Sequence, residues 1–194
     1  MMDKIYYPFT KLIIFISFCL LCIHNNTNAQ VTNDTSKFYL ELTGRVRQMK
    51  NLTKNKGDNP WLDSAVVTIY NDTSLYSQLI TNNRGRCSFK LDLNKSYKIK
   101  ISKRGFVTKF IEVNTLVPKF RIASYEFEFD IDIFESIKDL DVSVLEKPIA
   151  KVMYSASENS FAYDIAYTNR INESLKKMYH NYYLLQKMDK KNLH

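Results

Sequence analysis

Apolar and polar residues alternate over a series of short segments between positions 38 and 115. Every second residue of a segment is apolar, which is the period of a β-strand with one buried face. Turns that contain Asn or Gly separate the segments, and the clearest turn lies at 82–85. Short strands at this spacing predict a small antiparallel sandwich. Its core should contain Leu40, Leu42, Val46, Ala65, Val67, Ile69, Phe89, Leu91, Leu93, Tyr97, Ile99 and Ile101.

Residues 125–133 alternate more regularly than any other segment. Apolar residues occupy one face of this predicted strand, and the four residues of the other face are all acidic. Like charges along one strand repel each other, so the strand should join or cover the sandwich beside a cationic strand. The candidate cations are Lys90, Lys98 and Lys100. A calcium site is the alternative, but the segment lacks the Gly-containing turn that wraps a calcium ion.

The pattern changes after Pro148. A further strand is predicted at 149–154, and a helix then runs to about Lys190, with Thr168 or Asn169 as its N-cap. Such a helix can dock on its parent domain or on a partner, and its basic and aromatic surface would also suit peripheral association with a membrane. Its apolar positions form a candidate docking seam of Ile171, Leu175, Met178, Tyr182 and Leu185.

Four motifs follow one another in the strand region. They are Leu42-Thr-Gly-Arg-Val46, Trp61-Leu-Asp-Ser-Ala-Val-Val-Thr-Ile69, Thr81-Asn-Asn-Arg-Gly-Arg-Cys-Ser-Phe89 and Tyr97-Lys-Ile-Lys-Ile-Ser-Lys-Arg-Gly-Phe106. In this order they resemble the carboxypeptidase regulatory-like domain. The resemblance implies a mainly β fold, a seven-stranded Greek-key prealbumin-like sandwich at 30–118. A C-terminal extension at 119–194 would add extra strands and the α-helix. Such domains are usually non-catalytic accessories of secreted and envelope proteins.

The first 29 residues have the order of a secretory signal peptide. A positively charged start precedes an apolar run at 12–23, which is too short to cross a bilayer core of about 30 Å. Small residues then predict cleavage between Ala29 and Gln30. Lipidation of Cys22 is the alternative, although a bulky residue precedes this cysteine. We therefore expect an exported protein, located in the periplasm or associated with the outer membrane.

The charge of the chain argues against a nucleic-acid partner. Lys and Arg number 28 against 20 Asp and Glu, which gives a net charge of +8. Basic and acidic segments alternate along the chain, whereas a nucleic-acid-binding surface needs a continuous basic stripe. The charges are therefore expected to pair within the protein.

Few residues suited to catalysis remain after the predicted cleavage. From Gln30 onward the chain has one cysteine, Cys87, and no His-x-x-Glu-His motif, so no metal site is expected. Cys87 lies on a predicted strand and His180 on a predicted helix, where a nucleophile–base pair is not expected. Cys87 should pack as a small hydrophobic residue. There is also no nucleophile elbow and no phosphate-binding loop, and we expect neither an enzyme nor a cofactor.

These observations favour a non-catalytic secreted or periplasmic accessory protein that mediates protein–protein docking in the bacterial cell envelope. The expected partner is an envelope or outer-membrane protein. A carbohydrate- or peptidoglycan-binding module is the alternative, because many secreted sandwiches bind glycans and Trp61 could stack on a sugar ring.

Overall fold

In the computed structural model, the described part of this protein is a sandwich of two β-sheets with a long C-terminal helix. The structure describes residues 37–50 and 59–192, and side chains as far as residue 189. The predicted signal peptide and its cleavage site at Ala29 and Gln30 lie outside these residues. No described helix is both long enough and apolar enough to cross a membrane.

The described residues form nine strands. They are β1 Tyr39–Gln48, β2 Val66–Asn71, β3 Ser74–Ile80, β4 Arg86–Asp92, β5 Ser96–Ser102, β6 Lys109–Asn114, β7 Tyr125–Ile133, β8 Ala150–Ser155 and β9 Ser160–Tyr163. Short 3-10 helices at Lys119–Arg121 and Ser143–Glu146 flank β7, and helix α1 spans Ile165–Asn192.

The strands form two sheets of unequal size. Sheet A has the order β4-β1-β7, and sheet B has the order β3-β2-β5-β6-β8-β9. Only the β1–β7 and β6–β8 pairs are parallel among the described strands. The mainly β sandwich with additional C-terminal strands and a helix is thereby confirmed. Each sheet contains strands that precede Pro118 and strands that follow it. The seventh strand in chain order is the acidic strand β7, which belongs to the predicted C-terminal extension.

The inner faces of the two sheets form the main hydrophobic core. All twelve core positions expected from the alternation are buried. Gly44 on β1 lies in this core, where a Cβ atom would come within 2.7 Å of the Phe129 ring and 2.8 Å of the Cys87 sulfur. Glycine is therefore needed at this position because β1, β4 and β7 bring their side chains too close to leave room for a methyl group.

The turn predicted at 82–85 joins β3 to β4. Gly85 has a φ of +66°, in the left-handed region that favours glycine. The Asn82 side chain accepts hydrogen bonds from the backbone N–H groups of Arg84 and Arg86, at 2.9 and 3.0 Å. Asn and Gly thus have the roles in this turn that the sequence indicated.

The acidic strand β7 has a cationic neighbour, but the prediction of Lys90, Lys98 or Lys100 was wrong. Arg45 and Arg47 of β1 pair with Glu128 and Asp130, with nitrogen–oxygen distances of 3.2 and 2.6 Å. The three lysines lie on β4 and β5, neither of which pairs with β7. The alternation could not identify the arginines, because only the parallel β1–β7 pairing places the two rows of charges together.

Candidate functional site at the junction of helix and sandwich

The predicted docking seam of α1 packs against the chain itself. Ile171, Leu175, Met178 and Tyr182 are buried, and Leu185 is half-buried. The four buried residues belong to a second hydrophobic cluster, which also contains Val107, Phe134 and Leu145. In this structure the seam therefore docks in cis, on the elements that flank β6, β7 and β8.

The helix begins earlier than predicted, and its N-cap is Asp164. The Asp164 carboxylate accepts a hydrogen bond from the backbone N–H of Tyr167, at 2.8 Å, as an N-cap side chain should. The Tyr167 hydroxyl donates to the Pro148 carbonyl oxygen, at 2.6 Å. Thr168 and Asn169 therefore lie inside the first turns rather than at the cap. The strand β9, which directly precedes Asp164, was not predicted from the sequence.

A buried lysine joins the helix to the sandwich. Lys109 of β6 is 1% exposed, and its ammonium group donates hydrogen bonds to the Asp132 backbone oxygen and to the Tyr179 hydroxyl, the latter at 2.8 Å. The same ammonium lies 5.2 and 5.0 Å from the ring centroids of Phe134 and Tyr179. Burial of a charge is costly unless hydrogen bonds compensate for it, and these contacts provide that compensation.

Asp132 is the second buried charged residue of this junction, and it is 6% exposed. Its Oδ2 atom accepts a hydrogen bond from the Asn59 amide, at 3.3 Å. No described residue donates a hydrogen bond to its Oδ1 atom, which is also buried. Burial, and then the Asp132 charge, raise the pKa of the Tyr179 phenol above its usual range, so this hydroxyl stays protonated.

These groups line a cleft of about 370 Å³ between α1 and the sandwich. Buried polar atoms in such a cleft are commonly satisfied by ordered water. The free Oδ1 atom of Asp132 therefore suits a water molecule or another small hydrogen-bond donor. Lining residues are Met49, Lys109, Asp130, Ile131, Asp132, Ile149, Ala150, Tyr163, Thr168, Asn172, Leu175 and Tyr179.

Cys87 and His180 are not brought together in a hydrogen bond. The Cys87 thiol is buried in β4 and donates to the Gly44 carbonyl oxygen, at 3.6 Å. Burial raises the pKa of this thiol to about 11, so the expectation that Cys87 packs as a small hydrophobic residue is confirmed. His180 is exposed on α1. Within the described ranges, no three His, Cys, Asp or Glu side chains are grouped so that they could hold a metal ion.

Trp61, the candidate for sugar stacking, is partly exposed. The guanidinium of Arg47 lies 4.6 Å from its ring centroid, so a cation covers the ring from one direction. The role of Trp61 in glycan binding stays a prediction.

The outer edge of β3 is a feature that the sequence analysis missed. β3 is the end strand of sheet B, and Leu75, Tyr76 and Ile80 are exposed on it. The Tyr76 hydroxyl donates to the Lys90 carbonyl oxygen, at 3.3 Å. The strand reads Ser-Leu-Tyr-Ser-Gln-Leu-Ile. Its lack of any charged residue was the available signal, because edge strands are commonly protected by charges.

No protein-family model matches this sequence, and no curated protein matches it. The carboxypeptidase regulatory-like resemblance therefore stays a prediction.

Comparison with solved structures finds similarity over about half of the chain, and three examples indicate its extent. The TIE protein of Bacillus anthracis has 18% identity and a TM-score of 0.37, with 50% of this chain and 18% of that protein covered. The 3-chlorocatechol 1,2-dioxygenase of Rhodococcus opacus 1CP has 7% identity and a TM-score of 0.36, with 51% and 61% covered. Shaft pilin SpaA of Lactobacillus rhamnosus GG has 10% identity and a TM-score of 0.37, with 51% and 50% covered. The matched region thus spans less than two thirds of each of these proteins, and at such low identity the comparisons bear on the fold alone.

Proposed function

We propose that this chain is an exported, non-catalytic accessory protein of the cell envelope that docks on another protein through the edge strand β3. The observation that supports this proposal is the uncharged and partly apolar edge that β3 presents at the end of sheet B. An open edge strand can bind an extended segment of a partner through main-chain hydrogen bonds, with specificity from alternate side chains.

The other sheet edges are less suited to strand addition. β9 has only four residues, and β7 carries Glu126, Glu128 and Asp130 along its exposed side. β4 is the other end strand of sheet A, and its Lys90 carbonyl oxygen already accepts a hydrogen bond from the Tyr76 hydroxyl of β3. Short length and charged side chains are both common means of preventing edge-to-edge association. Among the described strands, β3 therefore offers the longest uncharged edge.

The partner chemistry follows from the residues of this edge. Leu75 and Ile80 are exposed, and Gln78 between them is polar but uncharged. A charged partner strand would lose solvation on this edge without gaining an opposite charge. The expected occupant is therefore an extended, uncharged segment of an envelope protein with apolar side chains.

The C-terminal seam is less suited to this role. Its four buried residues already contact the second hydrophobic cluster, and exposing them to a partner would require α1 to leave the sandwich. The cost of uncovering several large apolar side chains is about 1.5–3 kcal/mol for each. We therefore place the docking surface on β3 and assign the seam a role in holding the helix.

Photo-crosslinking in cells tests this proposal. Probes are placed at Leu75 and Ile80, and a control probe is placed at the buried Tyr182. We expect one envelope protein to be captured from both β3 positions, through peptides of a single uncharged segment. Ile80→Lys should abolish this capture, whereas Glu158→Lys, which adds a lysine at an exposed site away from β3, should not.

Other outcomes would overturn the proposal. Capture of a second copy of this chain would indicate self-association in place of a partner. Capture from Tyr182 would return the docking role to the seam. No protein captured from β3, together with glycan binding that is lost in Trp61→Ala, would favour the carbohydrate-binding alternative.

A further inference from the structure

The connection between β6 and β7 presents the most exposed large apolar side chain of the described residues. Phe120 is 83% exposed, and Leu116 in the same connection is 64% exposed. Phe120 lies at the centre of the 3-10 helix Lys119–Arg121, so a basic residue stands on each side of it. Transfer of this exposed ring into an apolar or interfacial environment would be favourable.

The charge of this connection has one sign. No acidic residue occurs between Glu112 and Glu126, whereas Lys119 and Arg121 are both exposed. The Arg121 guanidinium also lies 5.7 Å from the Phe120 ring centroid. The tip of the connection therefore combines an apolar ring with two cations.

Contacts with the sandwich hold the connection in place. Val117 is buried in the main core, and its backbone N–H donates to the Asn94 side chain, at 3.2 Å. The Tyr125 hydroxyl donates to the Arg121 carbonyl oxygen. The exposure of Phe120 is thus a feature of an ordered turn, in which Pro118 also restricts the backbone entering the 3-10 helix.

We propose that Phe120, Lys119 and Arg121 form a membrane-docking tip that binds the surface of an anionic phospholipid bilayer. Aromatic rings are favourable at the bilayer interface, and basic side chains are attracted to anionic headgroups. The two cations complement an anionic surface, and the exposed ring between them suits the interfacial region of a bilayer. This combination is the reason for choosing a lipid over an acidic or apolar protein surface. This inference goes beyond the proposed protein docking, which uses β3.

Tryptophan fluorescence tests the proposal at the residue itself. Trp61 is the only tryptophan of the chain, so Trp61→Phe with Phe120→Trp places a single tryptophan at the tip. The unmodified protein is the control, because its tryptophan lies far from the tip. Trp61 lies beside Arg47 at one end of β1, whereas Tyr125, which follows the tip, pairs with Leu40 at the other end. These two ends of β1 are about 23 Å apart at about 3.3 Å per residue. The probes are vesicles with brominated acyl chains, made of phosphatidylcholine either alone or with phosphatidylglycerol.

We expect anionic vesicles to quench the tryptophan at position 120 and to shift its emission to the blue, while Trp61 stays unquenched. Lys119→Glu with Arg121→Glu should weaken vesicle binding by about fivefold for each basic residue removed. Circular dichroism confirms that these variants are folded.

Three results would overturn the proposal. Absence of quenching at position 120 would show that the tip does not enter a bilayer. Equal quenching by the uncharged vesicles would remove the role of the two basic residues. Equal quenching at positions 61 and 120 would indicate non-specific insertion. None of these results depends on the crosslinking from β3, so the two proposals fail separately.

Discussion

The ammonium group of Lys109 donates a hydrogen bond to the hydroxyl of Tyr179, at 2.8 Å, and so joins strand β6 to helix α1. The two residues are 70 positions apart in the sequence. Both groups are largely removed from water, so loss of this bond would leave a buried polar group with fewer partners. This bond adds a polar contact to the apolar packing of the seam, and both Lys109 and Tyr179 line the cleft beside Asp132.

The bond between Lys109 and Tyr179 should contribute measurably to stability. Lys109→Met removes the donor and leaves the Asp132 carbonyl oxygen without its ammonium partner, so the free energy of unfolding should fall by about 1–3 kcal/mol. Tyr179→Phe should reduce it as well. The double variant should lose less than the sum of the two single losses, because the residues interact directly. Urea unfolding of the four proteins measures this, and strict additivity would contradict it.

The seam should stabilise the fold of the isolated chain. Leu175→Ala truncates a buried side chain of α1 and should lower the free energy of unfolding by about 2–5 kcal/mol. Leu184→Ala is the matched control, since Leu184 lies on the same helix and is exposed. It should change stability by no more than about 0.5 kcal/mol. Similar losses in the two variants would mean that α1 does not pack as described.

Gly44 should not tolerate a side chain. Gly44→Ala places a methyl group against Phe129 and Cys87, and overpacking of this kind costs about 1–3 kcal/mol. Adding Phe129→Leu to this variant should recover part of the loss, because the ring provides the closest contact. Thermal unfolding of both variants and of Phe129→Leu alone measures the recovery. If Phe129→Leu only adds to the loss, the close contact is not the cause.

The Cys87 thiol should react slowly in the folded protein. Burial raises its pKa to about 11, so little of the reactive thiolate is present at pH 8. N-ethylmaleimide should label Cys87 slowly in buffer and rapidly in denaturing urea, and mass spectrometry of peptides that contain Cys87 gives both rates. Equal rates in the two conditions would show that the thiol is accessible.

Stability should decline in alkaline solution, in part through Tyr182. Burial raises the pKa of Tyr182 to about 12, whereas an unfolded tyrosine ionises near pH 10. The unfolded chain therefore releases this proton first, and the contribution to stability is complete below about pH 10 and is lost as the pH rises toward 12. Urea unfolding at pH 8 and pH 11 should show a smaller decline for Tyr182→Phe than for the unmodified protein. Equal declines would contradict this assignment.

The alternation of apolar residues was sufficient to predict the sandwich and most of its strands. Leu40, Val67 and Ile99 lie in the core because a strand with period two must turn the same face inward along its length. The turn at Asn82 and Gly85 was predictable for a similar local reason, since these residue types tolerate the backbone of a tight reversal. The helical seam followed from spacing alone, and four of its five residues are buried.

The pairings between distant segments required the tertiary structure. Arg45 and Arg47 could be matched to Glu128 and Asp130 only once β1 and β7 were known to be parallel neighbours. The burial of Lys109 had no local signal, because a lysine in a strand ordinarily faces water. It is buried here because α1 and the end of β7 pack around it. The edge of β3 and the tip at Phe120 are candidate surfaces because their apolar side chains are left exposed in the folded chain. A local pattern shows that a residue is apolar, but only the packed chain determines whether another element covers it.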